Sequence, residues 1–144
     1  MSTGDLAQSK ELVRQHMDAL MAGDREAFAE LFADDFVVQP FGIEREAFID
    51  DEFAFFDAFP DLTYAIDQMV AEGDRIAFRW LMEGTHTEAG GPGLIGDLDP
   101  TDAAIDVSGI NIARIEDGQI AEWWVEWGTL ELLDQLGVIS LPGE

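Results

Sequence analysis

The chain has 144 residues, no cysteine and 47% hydrophobic residues, enough length and apolar content to bury a core without disulfides. Thirty-one acidic residues against seven basic ones give a formal charge of −24, which excludes nucleic acid and anionic membrane surfaces as partners. No apolar run approaches the roughly 18 residues of a membrane span, and no basic-then-apolar leader opens the chain, so a cytoplasmic protein with one domain over residues 1–144 is expected. The acids are scattered rather than set at metal-ligand spacing. No metal and no other cofactor is therefore expected, and the acidity reads as a solvated shell of the halophilic kind.

The first predicted element is a helix from a Thr3 cap to about Ala22, burying Val13, His16, Met17 and Leu20 at i, i+3, i+4 and i+7. Gly23 suits its end, and Asp24 suits the cap of a second helix that buries Ala27, Phe28, Leu31 and Phe32. A short extended piece, Phe36 to Gln39, is halted by Pro40. A third helix runs from near Glu44 and stops before Pro60. It carries Phe48, Phe53, Phe55, Phe56 and Phe59, an aromatic face that is either core or the wall of a ligand site.

Leu62 to Ala71 alternates as a strand, Glu72-Gly73-Asp74 turns it, and Arg75 to His86 runs back. Ile76, Phe78, Trp80 and Met82 share one parity, with His86 at the rim. The next sixteen residues, Thr87 to Asp102, are rich in glycine and proline, which is unusual for a structureless loop unless it works as a lid or mobile segment. Two alternating runs then flank Glu116-Asp117-Gly118, a hairpin signal. One face holds Ile105, Val107, Gly109, Asn111 and Ala113 with Ala121, Trp123, Val125 and Trp127; the other holds Ile110, Ile112 and Trp124. A short helix, Thr129 to Leu136, with Leu130, Leu133 and Leu136 on one stripe, ends at Gly137. Helices followed by an antiparallel meander define an α+β fold: three N-terminal helices against a curved antiparallel sheet, with a short C-terminal helix.

This order, together with Phe59-Pro60-Asp61-Leu62, Gly73-Asp74-Arg75, Gly84-Thr85-His86, Ser108-Gly109-Ile110, Arg114 to Ile120 and Leu133 to Gly137, resembles the SnoaL-like polyketide cyclases. They belong to the cone-shaped fold of nuclear transport factor two and ketosteroid isomerase. Ala22-Gly23-Asp24 and Leu31 to Asp35 look like the isomerase branch. The resemblance implies a small-molecule pocket acting on a carbonyl compound, and a homodimer through the outer sheet face, with Trp124 as anchor.

It also implies where the chemistry should sit. The acid–base aspartate of the cyclases falls, seven residues after the turn glycine, on Val125, and a frequent histidine falls on Trp123. The isomerase base, an aspartate before a proline, falls on Gln39. The two isomerase oxyanion donors fall on His16 and Asn111. Proton abstraction beside a carbonyl needs a base with a tuned pKa, and His16 is the candidate acid–base group left. Asn111 and Gln39 can donate to an oxygen. Phe56, Trp80, Trp123 and Trp127 would wall a flat, apolar or aromatic ligand, with His86 at the rim. Two readings stand: a cyclase, isomerase or hydrolase, or a non-catalytic ligand-binding or dimerisation domain of the same fold.

Overall fold

The structure is a computed structural model that describes residues 3–143. The first helix, α1 (Thr3–Met21), buries Val13, His16, Met17 and Leu20, the anticipated stripe. The side chain of Thr3, expected to cap it, lies outside the described residues. Gly23 takes φ 70°, and the amides of Gly23 and Asp24 return to the carbonyls of Leu20 and Ala19, closing the helix end. Asp24 then accepts from the Ala27 N–H at 3.1 Å and opens α2 (Arg25–Glu30).

The extended piece is longer than expected. The strand β1 (Phe32–Gln39) begins directly after α2 because Phe32, Phe36 and Val38 all reach the core. A cis Gln39–Pro40 bond and Gly42, at φ 69°, turn it into the two-residue β2 (Ile43–Glu44). Next comes α3 (Arg45–Ala58), which buries Phe48, Ile49, Phe55 and Ala58, and its last turn is held by Phe59 N–H on the Phe55 carbonyl.

The meander follows: β3 (Thr63–Glu72), β4 (Arg75–Thr85), β5 (Ala104–Glu116) and β6 (Gln119–Trp127). The hairpin between β5 and β6 turns on Asp117 and Gly118, both at positive φ, as a type I′ turn requires. All six strands form one curled sheet in the order β2-β1-β6-β5-β4-β3. It is antiparallel except that β1 runs parallel to β6, with Val38 beside Trp123 and Gln39 beside Trp124. The final helix, α4 (Thr129–Gln135), starts from Gly128 and buries Leu132 and Leu136. Leu130, expected on its inner stripe, is 63% exposed, because the helix turns the i, i+4 pair 132 and 136 to the sheet.

Two of the motifs quoted above are joined by these contacts. Asp61 accepts from the Thr85 N–H at 2.7 Å and the Thr85 hydroxyl at 2.9 Å, tying the start of β3 to the end of β4. Those bonds hold the Asp61 carboxyl below its usual range. The Gln135 side chain reaches back to β5, accepting from Asp106 N–H at 2.8 Å and donating to its carbonyl at 3.0 Å. Among the described residues no helix is long and apolar enough to cross a membrane.

Candidate functional site

Curling the sheet leaves a cavity of about 390 Å³ between its concave face and α1 and α3. That volume suits a small-molecule site. Six sequence candidates line it: His16 from α1, Trp80 from β4, Asn111 from β5, and Trp123, Val125 and Trp127 from β6. The register explains the grouping, since Asn111 pairs with Val125 and Gly109 with Trp127 on the inward parity. The tryptophans wall the cavity without filling it.

Three candidates lie elsewhere. Gln39 is on the outer face of β1, its amide donating to Glu122 at 2.9 Å; alternation gives the inward place to Val38. Phe56 faces Phe53 at 6.5 Å rather than the cavity, because Phe48 and Phe55 hold the inward line of α3. His86 is not at a rim but fully buried beneath the loop, its ring 5.1 Å from Phe59. Its Nδ1 accepts from the Thr101 amide at 3.1 Å, and its backbone exchanges bonds with Asp102 and Ala103, so it pins the two loop ends together.

That loop spans residues 86–103 without helix or strand and folds back on α3. Thr87 and Glu88 donate to the Ala58 carbonyl, and Ile95 is buried. Pro92 and Leu94 from the loop, with Phe41 from the turn after β1, reach the cavity. Phe41 is 66% exposed and Leu94 45%, so the mouth is ringed by apolar groups that solvent still reaches.

Burial sets the electrostatics of His16. Its ring packs 5.5 Å from both Phe78 and Trp123, and its Nδ1–H donates to the Val13 carbonyl. Loss of solvent outweighs that bond and lowers its pKa to about 4. The imidazole is neutral at pH 7, with Nε2 left as an acceptor; so weak a base is poorly matched to proton abstraction near neutrality. Asn111 is oriented without ambiguity. The Trp80 indole N–H, which can only donate, meets its Oδ1 at 2.9 Å, so the Nδ2–H₂ group faces away with no partner among the described residues.

Four polar residues of the cavity escaped the sequence reading: Asp51, Glu52, Tyr64 and Thr129. Glu52 on α3 has its pKa raised to about 8, first by the apolar surroundings and then by the charge of Asp51. Tyr64 on β3, 5.2 Å from Trp80, is raised well above its usual value by burial and by the nearby Glu52. A signal for Glu52 was present: residues 48, 52, 55 and 59 follow the inner stripe of α3, which sets one acid in a row of phenylalanines. Among the described residues no group of His, Asp and Glu is placed to hold a metal ion.

A curled α+β sheet closed by helices over one apolar cavity with a few inward polar groups defines a class of small-molecule pocket folds. The model of the SnoaL-like polyketide cyclase family matches residues 10–136, and the chain belongs to that family. Among solved structures it is similar to AclR, a proposed hydroxylase from Streptomyces galilaeus, with TM-score 0.82 and 22% identity over 96% of this chain and 87% of that one. TsrD from Streptomyces laurentii gives 0.80 and 23%, covering 92% and 97%. IdmH, a proposed polyketide cyclase from Streptomyces antibioticus, gives 0.75 and 26%, covering 90% and 99%. No curated protein matches the chain significantly.

Proposed function

We propose that the protein takes up a small, largely apolar carbonyl compound, of the ring-bearing kind that polyketide cyclases handle, between Trp80, Trp123 and Trp127. The observation that carries this reading is the unspent Asn111 amide in a largely apolar cavity: its oxygen is used by Trp80, and its N–H groups are left for a ligand oxygen. His16, which lines the cavity from α1, offers its neutral Nε2 as an acceptor, for a hydroxyl rather than for a proton to be abstracted. Val125 stands at the place where the resemblance implies a catalytic aspartate, so any proton chemistry must use another group; the second reading, a non-catalytic binding domain, draws its support from the same residue. The bicyclic ketone 2-tetralone should quench the cavity tryptophans saturably, and Asn111→Leu should weaken it about tenfold, the worth of one buried hydrogen bond. Absence of quenching by the wild-type protein would remove the reading.

The outer sheet face is the proposed homodimer surface. Val70, Ala77, Ile112 and Trp124 lie in one row across β3 to β6, and Val70, Ile110 and Ile112 are 67%, 49% and 42% exposed. Arg75 covers the Trp124 ring at 4.9 Å. Trp124→Glu should halve the mass seen by light scattering, and an unchanged mass excludes that face.

A further inference from the structure

Of the two acids that line the cavity, Asp51 accepts from the Gly93 amide at 3.5 Å, while Glu52 has no hydrogen-bond partner among the described residues. Glu52 sits on the inner stripe of α3 between Phe48 and Phe55, makes no salt bridge among the described residues, and lines the same space as Trp80, Asn111 and Val125. A half-buried carboxyl in apolar surroundings without a cation costs stability, which is a common mark of a working group.

We propose that Glu52 takes a proton from the carbon beside the carbonyl of a ligand held between the tryptophans and returns it, while the Asn111 amide holds the enolate oxygen. This rests on the carbonyl-binding reading given above. In the forward step the carboxylate oxygen forms an O–H bond as the C–H bond breaks. The C–H pair becomes the C=C bond, and the carbonyl pair moves to oxygen, where Asn111 Nδ2–H donates to it. The reverse step returns the proton to the same carbon or to a conjugated one, so no oxidant or second reactant is needed.

The surroundings suit the task. Apolar walls and Asp51 raise the Glu52 pKa to about 8, making its carboxylate a stronger base than an exposed one while leaving about a tenth ionised at pH 7. The other titratable groups facing it are Tyr64, which stays protonated, and His16, which stays neutral. Neither adds a compensating positive charge.

The test uses the full chain and 2-tetralone in D₂O. Exchange of the α-hydrogens is followed by proton NMR, and binding in parallel by tryptophan quenching. Wild-type protein should speed exchange over buffer, with the rate rising about tenfold per pH unit and levelling above pH 8. Glu52→Gln should lower that rate at least about a hundredfold with quenching unchanged, and Glu52→Asp should keep part of it. A Gln variant that exchanges at the wild-type rate overturns the proposal. So does wild-type protein that binds without exchange, which leaves the binding reading standing. No quenching at all overturns both. Should the Gln variant not fold, the wild-type pH profile decides, because a profile with no step near pH 8 overturns the assignment.

Discussion

Glu52→Gln also makes a stability prediction that needs no ligand. The folded pKa is about 8 and the unfolded reference is 4.5, so between those values the unfolded chain holds fewer protons than the folded one. Stability therefore falls as pH rises through that window, with the penalty absent below it and complete above it. At about 1.36 kcal/mol per unit, the full penalty is about 5 kcal/mol above pH 8 and about 3 kcal/mol at pH 7. Water entering through the open mouth reduces both, so they are upper limits. Glutamine keeps the shape and carries no charge. The variant should match the wild type at pH 4 and exceed it at pH 7 by up to about 3 kcal/mol, or roughly 6–12 °C in melting temperature. Calorimetry of both proteins at pH 4, 7 and 9 measures the difference. His16 works in the opposite sense: its folded value of about 4 lies below the unfolded 6.5, so stability is lost as pH falls between them. That loss is common to both proteins and cancels. Parallel curves for wild type and variant would mean the Glu52 carboxyl is solvated, and its raised pKa would be refuted.

Two further outcomes are expected. A Cβ at Gly109 would lie 2.6 Å from Trp127 Cβ and press on the Trp80 indole, so Gly109→Ala should cost about 1–3 kcal/mol in urea unfolding and weaken 2-tetralone quenching by disturbing the Trp80–Asn111 bond. With −24 charges and all six arginines already paired to acids, the chain repels itself at low ionic strength, so its melting temperature should climb from low to molar potassium chloride; a flat or falling curve counts against a halophilic shell.

The sheet was legible because period two carries its own proof of face. Ile105, Val107, Asn111 and Ala113 are buried and Asp106, Ile110 and Ile112 are not, and this parity placed Asn111, Trp123 and Val125 correctly. The same alternation over Phe36 to Gln39 sets Val38 inward and Gln39 outward, as the structure has them. Phe56 failed on period: the line through Phe48 and Phe55 excludes it and includes Glu52. His86 and β1 failed for a different reason. The cover over His86 comes from a loop that folds back from Thr101, and the parallel pairing of β1 with β6 joins residues more than 80 positions apart. Neither long-range contact leaves a local pattern in the chain.

The charge of the chain also bears on which ligands can enter. Asp51 and Glu52 line the cavity, and no lysine or arginine does. An anionic ligand would therefore meet a negative shell outside and carboxylates inside, with no cation to pair with, and would raise the Glu52 pKa further by like-charge repulsion. A neutral carbonyl compound pays neither penalty. Compare 2-tetralone with 2-naphthoate, a fused-ring carboxylate of similar size, at pH 9 where Glu52 is largely ionised. One like-charge contact at about 6 Å in a medium of effective dielectric about 20 opposes binding by roughly 2–3 kcal/mol, so naphthoate should bind at least about tenfold more weakly in low salt. Molar potassium chloride should recover part of that deficit by screening the outer shell, while the ketone changes little. Naphthoate binding more tightly than the ketone at both salt concentrations would show a cation within reach of the cavity, contrary to a lining without lysine or arginine.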